Sequence, residues 1–464
     1  MMAALDILLL DPHEAKIRSL LTQGAGEERS AYMQFGIADI DADPWTGQPR
    51  RRLMSHRFDP IGEADLISAS GRHITWQTDG FMRLLGEAKI AGLVPALVHT
   101  HPKGKAKFSD QDDRNEAELA RTALLKGVPG LVSIVIAKNG DIAARLWTDT
   151  EKGVAIPRIL HSGPRLRISG LSGTPADFLD RQVRLFGEEA SRQVSGFRCG
   201  IAGGGATGSA LLPLLLRLGV QQAVQFDRDI VDETNLNRLH GARRSDVDEK
   251  MPKTTIHTRT VEESGLGMTL VTMDAWAGHP STWDALKACD VIFCCTDDHA
   301  GRLFLNRFAR FYGIPVIDVG LAMQRRAETA YDLFARVSIL VPGHPCLLCG
   351  GYVDPRRARE ETLRRDDPDA YHRLKEEAYV LGEGDPSPAV VTFTTEAATM
   401  AVNEWLAGVT GLAGGSGMVP TRMRRFHARD ERKPNVESHP GCPCCDEPAT
   451  LGRADVQPFL DMVT

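Results

Sequence analysis

The chain has 464 residues, room for two or three domains of roughly 100–200 residues each. Its composition, 42% apolar and 25% charged, is that of a soluble globular protein, and a net charge of -6 argues against a dedicated nucleic-acid binder. No apolar run approaches the roughly 20 residues of a membrane span, and the start Met-Met-Ala-Ala-Leu-Asp carries no basic n-region. A cytoplasmic location with no membrane partner is therefore expected, where the nine cysteines serve as metal ligands or core residues rather than disulfides.

Residues 1–150 alternate short apolar stretches with polar turns. Residues 96–99 and 131–137 are predicted strands, and Ser109 opens a predicted helix reaching Gly127. Side chains alternate along a strand, so His99 and His101 face the same side. Asp112 lies three residues into the following helix, where its carboxylate can turn back toward them. Two imidazoles and a carboxylate leave a zinc position open for water, whose pKa zinc lowers toward about 7. Ser109, at the helix start, could donate to the oxyanion of an attacked carbonyl.

His99-Thr-His101-Pro102, six residues, Ser109, two residues and Asp112 resemble the signature of the JAB/MPN (JAMM) metalloproteases. That resemblance implies an isopeptidase domain over 1–150, which cuts the bond after the terminal glycine of ubiquitin or a related protein. The family also needs an upstream glutamate before a strand, to shuttle a proton to the leaving amine. Glu28 with Ala31 fits the spacing better than Glu27 with Ser30, and both stay open. Residues 151–173, with Gly, Pro and Ser, are predicted to be a linker.

From 174 the pattern becomes helix (176–195), strand (197–202), glycine-rich turn, helix (208–218) and strand (223–227), a β-α-β unit. A strand, loop and helix over 291–310 and a strand at 315–319 extend it to a mostly parallel, doubly wound sheet. Gly203-Gly-Gly205-Ala-Thr-Gly208 is a G-x-G-x-x-G turn whose backbone can approach phosphates at a helix N-terminus. Asp227 and Asp229 end the next strand, where an acid binds ribose hydroxyls. Residues 354–375, dense in Arg, Glu and Asp, are expected to be one solvated helix, and 411–417 a flexible loop.

The groups around the turn speak against hydride transfer. They include Arg181 and Arg184 on the preceding helix, Asn235, Arg238, Lys253, Asp297, Arg302 and Asn306. Arginine and lysine can stabilise the charge on a departing pyrophosphate, and an aspartate can hold magnesium. As a set they resemble the ThiF/MoeB and ubiquitin-activating superfamily over about 174–410. The resemblance implies that the loop binds ATP and Asp229 its ribose. It places Asn235, Arg238 and Lys253 on the phosphates, Asp297 on magnesium, and Arg181 in the site of a partner subunit in a homodimer. The family's D-V-G appears as Asp246-Val-Asp248 with longer spacing, so Lys250 rivals Lys253.

Cys346, Cys349, Cys442 and Cys445 form two C-x-x-C pairs suited to a closed structural zinc that ties the C-terminal segment of 174–464 to the sheet. Cys444 is the rival ligand. Many relatives pass the adenylate to a loop cysteine, but residues 350–441 contain none, and Cys199, Cys289, Cys294 and Cys295 fall in or beside predicted core strands. Either the domain stops at an acyl-adenylate, or a hydroxyl such as Ser387 accepts the acyl group.

Such fusions resemble bacterial ubiquitin-like conjugation modules, some in antiviral defence operons. The implied partner is a β-grasp protein ending in glycine, with a conjugating-enzyme-like protein beside it. Sulfur-carrier activation for cofactor or cysteine biosynthesis is the alternative, and a non-catalytic scaffold binding a ubiquitin-like protein the second.

Overall fold

The computed structural model describes residues 4–23, 26–62, 66–70, 74–327, 330–376, 389–445 and 450–455. Among them a nine-stranded sheet runs from one edge as Arg167–Ser169, Arg158–Ser162, Ala4–Leu10, Arg50–Pro60, Ser30–Ile40, Val94–His101, Leu131–Ala137, Ile142–Trp147 and Val154–Ile156. The strand Ala4–Leu10 is buried from Leu5 onward and apolar but for Asp6, because both of its faces are covered. Ile7 and Leu9 join the core of this sheet with Phe35 and Ile134, while Leu8 and Leu10 join a cluster shared with the second sheet.

Residues 151–173, expected to be a linker, contain three of these strands, and Ile159 pairs with Ile7 in parallel register. Each is only three to five residues long, with Pro157 separating the first two and Gly163 ending the second, so no alternation accumulates for a sequence pattern to reveal.

The second sheet, of eight described strands, runs Thr269–Met273, Gln222–Phe226, Arg198–Ala202, Val291–Cys294, Val316–Ala327, Ala330–Leu340, Thr421–Arg425 and Asp430–Arg432. Its first five strands are parallel and the rest antiparallel. The connection after Ala327 is too short for the crossover that a parallel pair needs, so the parallel character ends there. The helix Val391–Thr410 packs on this sheet through the buried Trp405, whose ring meets Phe197 and Phe293 edge-on at 5.8 and 6.1 Å. Strand Arg198–Ala202 lies between Gln222–Phe226 and Val291–Cys294, at the point where the strand order reverses, which is where α/β sheets open a ligand crevice.

The charged stretch 354–375 forms two helices, Pro355–Asp366 and Pro368–Glu376, because Pro368 has no amide with which to continue the first. It is not wholly solvated. The Arg365 guanidinium lies 3.7 Å over the Trp276 ring, and Glu361 accepts the Ala300 amide at 2.7 Å.

The two sheets are joined by charge as well as apolar packing. Arg52, 1% exposed, pairs with Asp290 at 2.9 Å and Asp6 at 3.2 Å and donates to the Cys289 carbonyl. Asp290 is fully buried and also meets Arg158 at 2.5 Å. Behind the last cysteines, Ala454 bridges to Ile37 of the first sheet, and Tyr312 donates to Asp455 at 2.6 Å. No helix among the described residues is long and apolar enough to cross a membrane.

Candidate metal and nucleotide sites

Strand Val94–His101 and helix Asp110–Leu125 bring His99, His101 and Asp112 together. The two Nε2 atoms lie 3.1 Å apart, and the Asp112 oxygens sit 3.4 Å from His99 and 3.6 Å from His101. Ligands 2.0–2.2 Å from a tetrahedral zinc would be about 3.3–3.6 Å apart, so this donor set fits the ion. The Lys105 carbonyl lies 3.2 Å from His101 Nδ1, which suits a proton on that nitrogen and leaves Nε2 free to ligate. Burial acts to raise the Asp112 pKa, but hydrogen bonds from His99 and Ser109 outweigh it and hold the carboxyl well below the usual range.

Ser109 caps the helix: its Oγ–H donates to Asp112 Oδ2 at 2.7 Å and its Oγ accepts the Asp112 amide at 3.2 Å. To donate to an oxyanion it must turn its hydroxyl from that carboxylate. Glu28 is buried, and burial pushes its pKa up to about 7, opposed by His99 and aided by Asp112. Strand pairing sets Ser30 opposite His99, which carries Glu28 alongside the histidines. Glu27 is exposed and reaches Arg29 at 3.9 Å. The structure thus brings Glu28, not Glu27, to the metal ligands.

The glycine turn links strand Arg198–Ala202 to helix Ala206–Arg217. Gly203 has φ +96°, and a Cβ on Gly208 would fall 2.0 Å from the Gly203 carbonyl oxygen, so both positions require glycine. A Cβ on Gly205 would meet nothing within 4 Å, leaving open space over the helix N-terminus. Asp227 accepts the Gly204 amide at 2.5 Å and the Asp229 amide at 2.8 Å, and burial raises its pKa. It therefore shapes the loop from beneath, while Asp229 is exposed and pairs with Lys253 at 2.7 Å. Lys250 sits exposed in a left-handed turn, φ 53°.

Asn235 is buried and exchanges capping hydrogen bonds with Asp232, at 3.2 and 3.3 Å. Arg238 donates to the Thr234 carbonyl and, at 3.1 Å, to Asn237. Asp297 is exposed beyond strand Val291–Cys294, whereas Asp298 caps the next helix at the Gly301 amide, 3.0 Å away. Arg302 is engaged with Asp318 at 3.6 Å and with the carbonyls of Thr296 and Val319. Arg181 is exposed, on a helix that breaks at Gly187, and Arg184 pairs with Asp180 on its surface at 2.8 Å.

Cys346, Cys349, Cys442 and Cys445 converge, with sulfur separations of 3.8, 3.6 and 3.4 Å for 346–349, 346–442 and 349–445. A tetrahedral zinc with 2.3 Å bonds separates its sulfurs by about 3.8 Å, so four thiolates here fit a closed site. Cys444 packs against the cluster and hydrogen-bonds Cys346, but it is not one of the four converging sulfurs, and its own sulfur accepts the Asn306 side-chain amide at 3.0 Å. Asn306 also accepts the Leu347 amide at 2.9 Å, so it braces the cysteine knuckle rather than the nucleotide loop. Sequence spacing gave no signal for that role, nor for His257, whose imidazole packs beneath Gly204 against Gln225.

A model described as the ThiF family matches residues 179–444, and one described as prokaryotic homologs of the JAB domain matches residues 10–149. Among curated proteins, a ubiquitin-activating enzyme E1-like protein of Saccharomyces cerevisiae is 28% identical over 144 residues, 30% of this chain and 22% of that protein. The SAMP-activating enzyme E1 of Haloferax volcanii is 24% identical over 181 residues, 39% of this chain and 63% of that one. The sulfur carrier protein ThiS adenylyltransferase of Bacillus subtilis is 30% identical over 166 residues, 35% of this chain and 46% of that one. The match spans less than two thirds of each relative. With the glycine turn at a strand-order reversal and the family model covering more than half its length, the chain belongs to the ThiF family, with a JAB domain preceding the ThiF region.

Proposed function

We propose that this chain uses ATP to adenylate the C-terminal glycine of a ubiquitin-like or sulfur-carrier protein, and that its JAB domain hydrolyses the bond following that glycine. The observation that carries the reading is one chain holding two sites suited to the same terminal carboxyl. One is the His99–His101–Asp112 triangle beside the buried Glu28, and the other is the glycine turn beside Asp229, Lys253 and Asp297. The adenylyltransferase and activating-enzyme relatives support the second half, and the JAB match supports the first.

In the activating half, the modifier's carboxylate oxygen attacks the α-phosphorus of ATP and pyrophosphate leaves. Gly203, Gly205 and Gly208 let the backbone approach the phosphates, and Asp229 takes the ribose. Lys253, Arg238 and Asn235 meet the phosphate charge, and Asp297 holds magnesium. Asn235 and Arg238 reach the nucleotide only by leaving the local bonds they now make. Arg181 serves the partner subunit's site in a homodimer.

In the peptidase half, zinc would supply Lewis acidity and lower the pKa of a water toward about 7. Glu28 takes a proton from the attacking water and returns it to the leaving amine, a task suited to a carboxyl held near neutrality. Ser109 turns its hydroxyl to the oxyanion. Four thiolates hold the second zinc as a structural ion.

The domain stops at the acyl-adenylate. Residues 350–441 hold no cysteine, and burial pushes the thiols of Cys199, Cys294 and Cys295 up, away from nucleophilic use; the alternative acceptor, the Ser387 hydroxyl, lies outside the described residues and stays open. With the acyl-adenylate as end point, the acceptor is external. A conjugating-enzyme-like thiol fits a modification pathway of the bacterial defence kind, and a sulfur donor fits the carrier reading that the ThiS adenylyltransferase relative supports. Point variants test the two-site scheme. Asp112→Ala should abolish peptide cleavage and spare adenylation, and Asp297→Ala should do the reverse. Loss of both activities in either folded variant would contradict it.

A further inference from the structure

The metal triangle joins two elements that the loop 102–109 alone connects in sequence: the histidines lie on a strand and Asp112 on a helix. Something must fix the angle between them, because ligand separations near 3.5 Å tolerate little drift. Arg145, on strand Ile142–Trp147, occupies the position to do so and is only 8% exposed.

Its guanidinium makes contacts on three sides. It lies 3.9 Å over the Phe108 ring, and Phe108 stands edge-on to the His99 imidazole at 6.2 Å. It donates to Asp113, the residue after the ligand Asp112. Arg145 Nε donates at 2.7 Å to Glu116, one turn further along the same helix. Glu116 is 5% exposed and also accepts Trp147 Nε1 at 3.1 Å, and the Trp147 ring lies 4.8 Å beneath the guanidinium. One flat cation thus touches the residue packed on a histidine ligand and two carboxylates that follow the aspartate ligand on its helix. A planar fork that stacks and pairs at once is a task lysine performs poorly.

We propose that Arg145 is a positioning residue for the His99–His101–Asp112 site, holding the helix and Phe108 in the register that lets three ligands share one ion. This rests on the zinc reading of that site. It assigns Arg145 no contact with substrate.

The test is zinc affinity, measured on the full chain by chelator competition, with the four-cysteine site as internal reference. Removing Arg145 alone leaves the buried Glu116 carboxylate without its cation, so Arg145→Met/Glu116→Gln is measured beside Arg145→Met and Arg145→Lys. The paired variant should bind zinc about 10–100-fold more weakly at the His99 site, the usual effect of losing an outer partner, with the cysteine site unchanged. Arg145→Lys should fall between it and the wild type. On a peptide substrate at saturating zinc, kcat should fall while KM holds. An affinity within about twofold of wild type in a variant that keeps its cysteine-bound zinc would overturn the proposal. Should the paired variant not fold, Arg145→Lys decides by the same criterion. A wild-type chain that binds zinc at the cysteines alone would instead refute the metal reading itself.

Discussion

Replacing Arg52 by methionine should uncouple the two halves of the chain. Arg52 lies on a strand of the first sheet and is fully surrounded, with its cation shared between Asp6 of the same sheet and Asp290 just before strand Val291–Cys294. Methionine keeps much of the volume and removes the charge. Asp6 keeps Arg50 at 2.9 Å and Asp290 keeps Arg158, so neither carboxylate is left bare, but the Cys289 carbonyl loses its donor. Breaking a buried pair by removing one partner costs about 3–5 kcal/mol, and the retained arginines place this case at the lower end. For units of this size, roughly 2–4 °C per kcal/mol gives a fall of about 10 °C. Scanning calorimetry should show the wild type melting in one transition and Arg52→Met in two, with the JAB domain first. An unchanged single transition would mean that the apolar cluster around Leu8, Leu10 and Met54, with the retained Arg158–Asp290 and Arg198–Asp6 pairs, joins the domains without Arg52.

Gly208→Ala should abolish ATP binding, because its methyl group lands on the Gly203 carbonyl and the loop must open; calorimetric titration with ATP reads this directly. Gly205→Ala meets open space, so it should leave the melting temperature within about 1 °C yet weaken ATP binding, and tight binding by that variant would place the nucleotide elsewhere. Stability should fall in mild acid. Burial lowers His13 and His257 from 6.5 to about 4, so the unfolded chain takes up protons that the folded chain refuses. Their contribution is complete above pH 6.5 and declines as pH drops to 4, by up to roughly 3 kcal/mol per histidine. Urea unfolding of His257→Gln between pH 7 and 4.5 should show a shallower decline than wild type, and an identical decline would assign the protons elsewhere. Cys442→Ser should halve the zinc bound per chain and loosen the segment 450–455, detected as faster hydrogen exchange at Ala454.

Short-range spacing carried most of the candidate sites, since the residues involved are held by one strand, one turn or one helix start. His99 and His101 share a face because strand side chains alternate, and Ser109 caps the helix because it precedes a run of acidic residues. Spacing favoured Glu28 over Glu27 without deciding between them, since one residue reverses the facing of a chain and only pairing with the His99 strand fixes which is buried. It could not separate Cys444 from its neighbours either, because the difference is made by Asn306, 138 residues away. The strands within 151–173 were invisible for want of length, and Pro368 divided the charged stretch that composition alone treats as one helix. Nothing in the local sequence marks Arg52 or Arg145. Their burial comes from partners 238 and 29 residues distant, which no local pattern encodes.

The most direct measurement of the account is ATP–pyrophosphate exchange by the full chain with magnesium and a β-grasp protein that ends in glycine. Exchange should appear with that partner, vanish when its terminal glycine is deleted, and survive Asp112→Ala. No exchange with any glycine-terminated partner, from a chain that binds ATP, would contradict the activating function on which the rest depends.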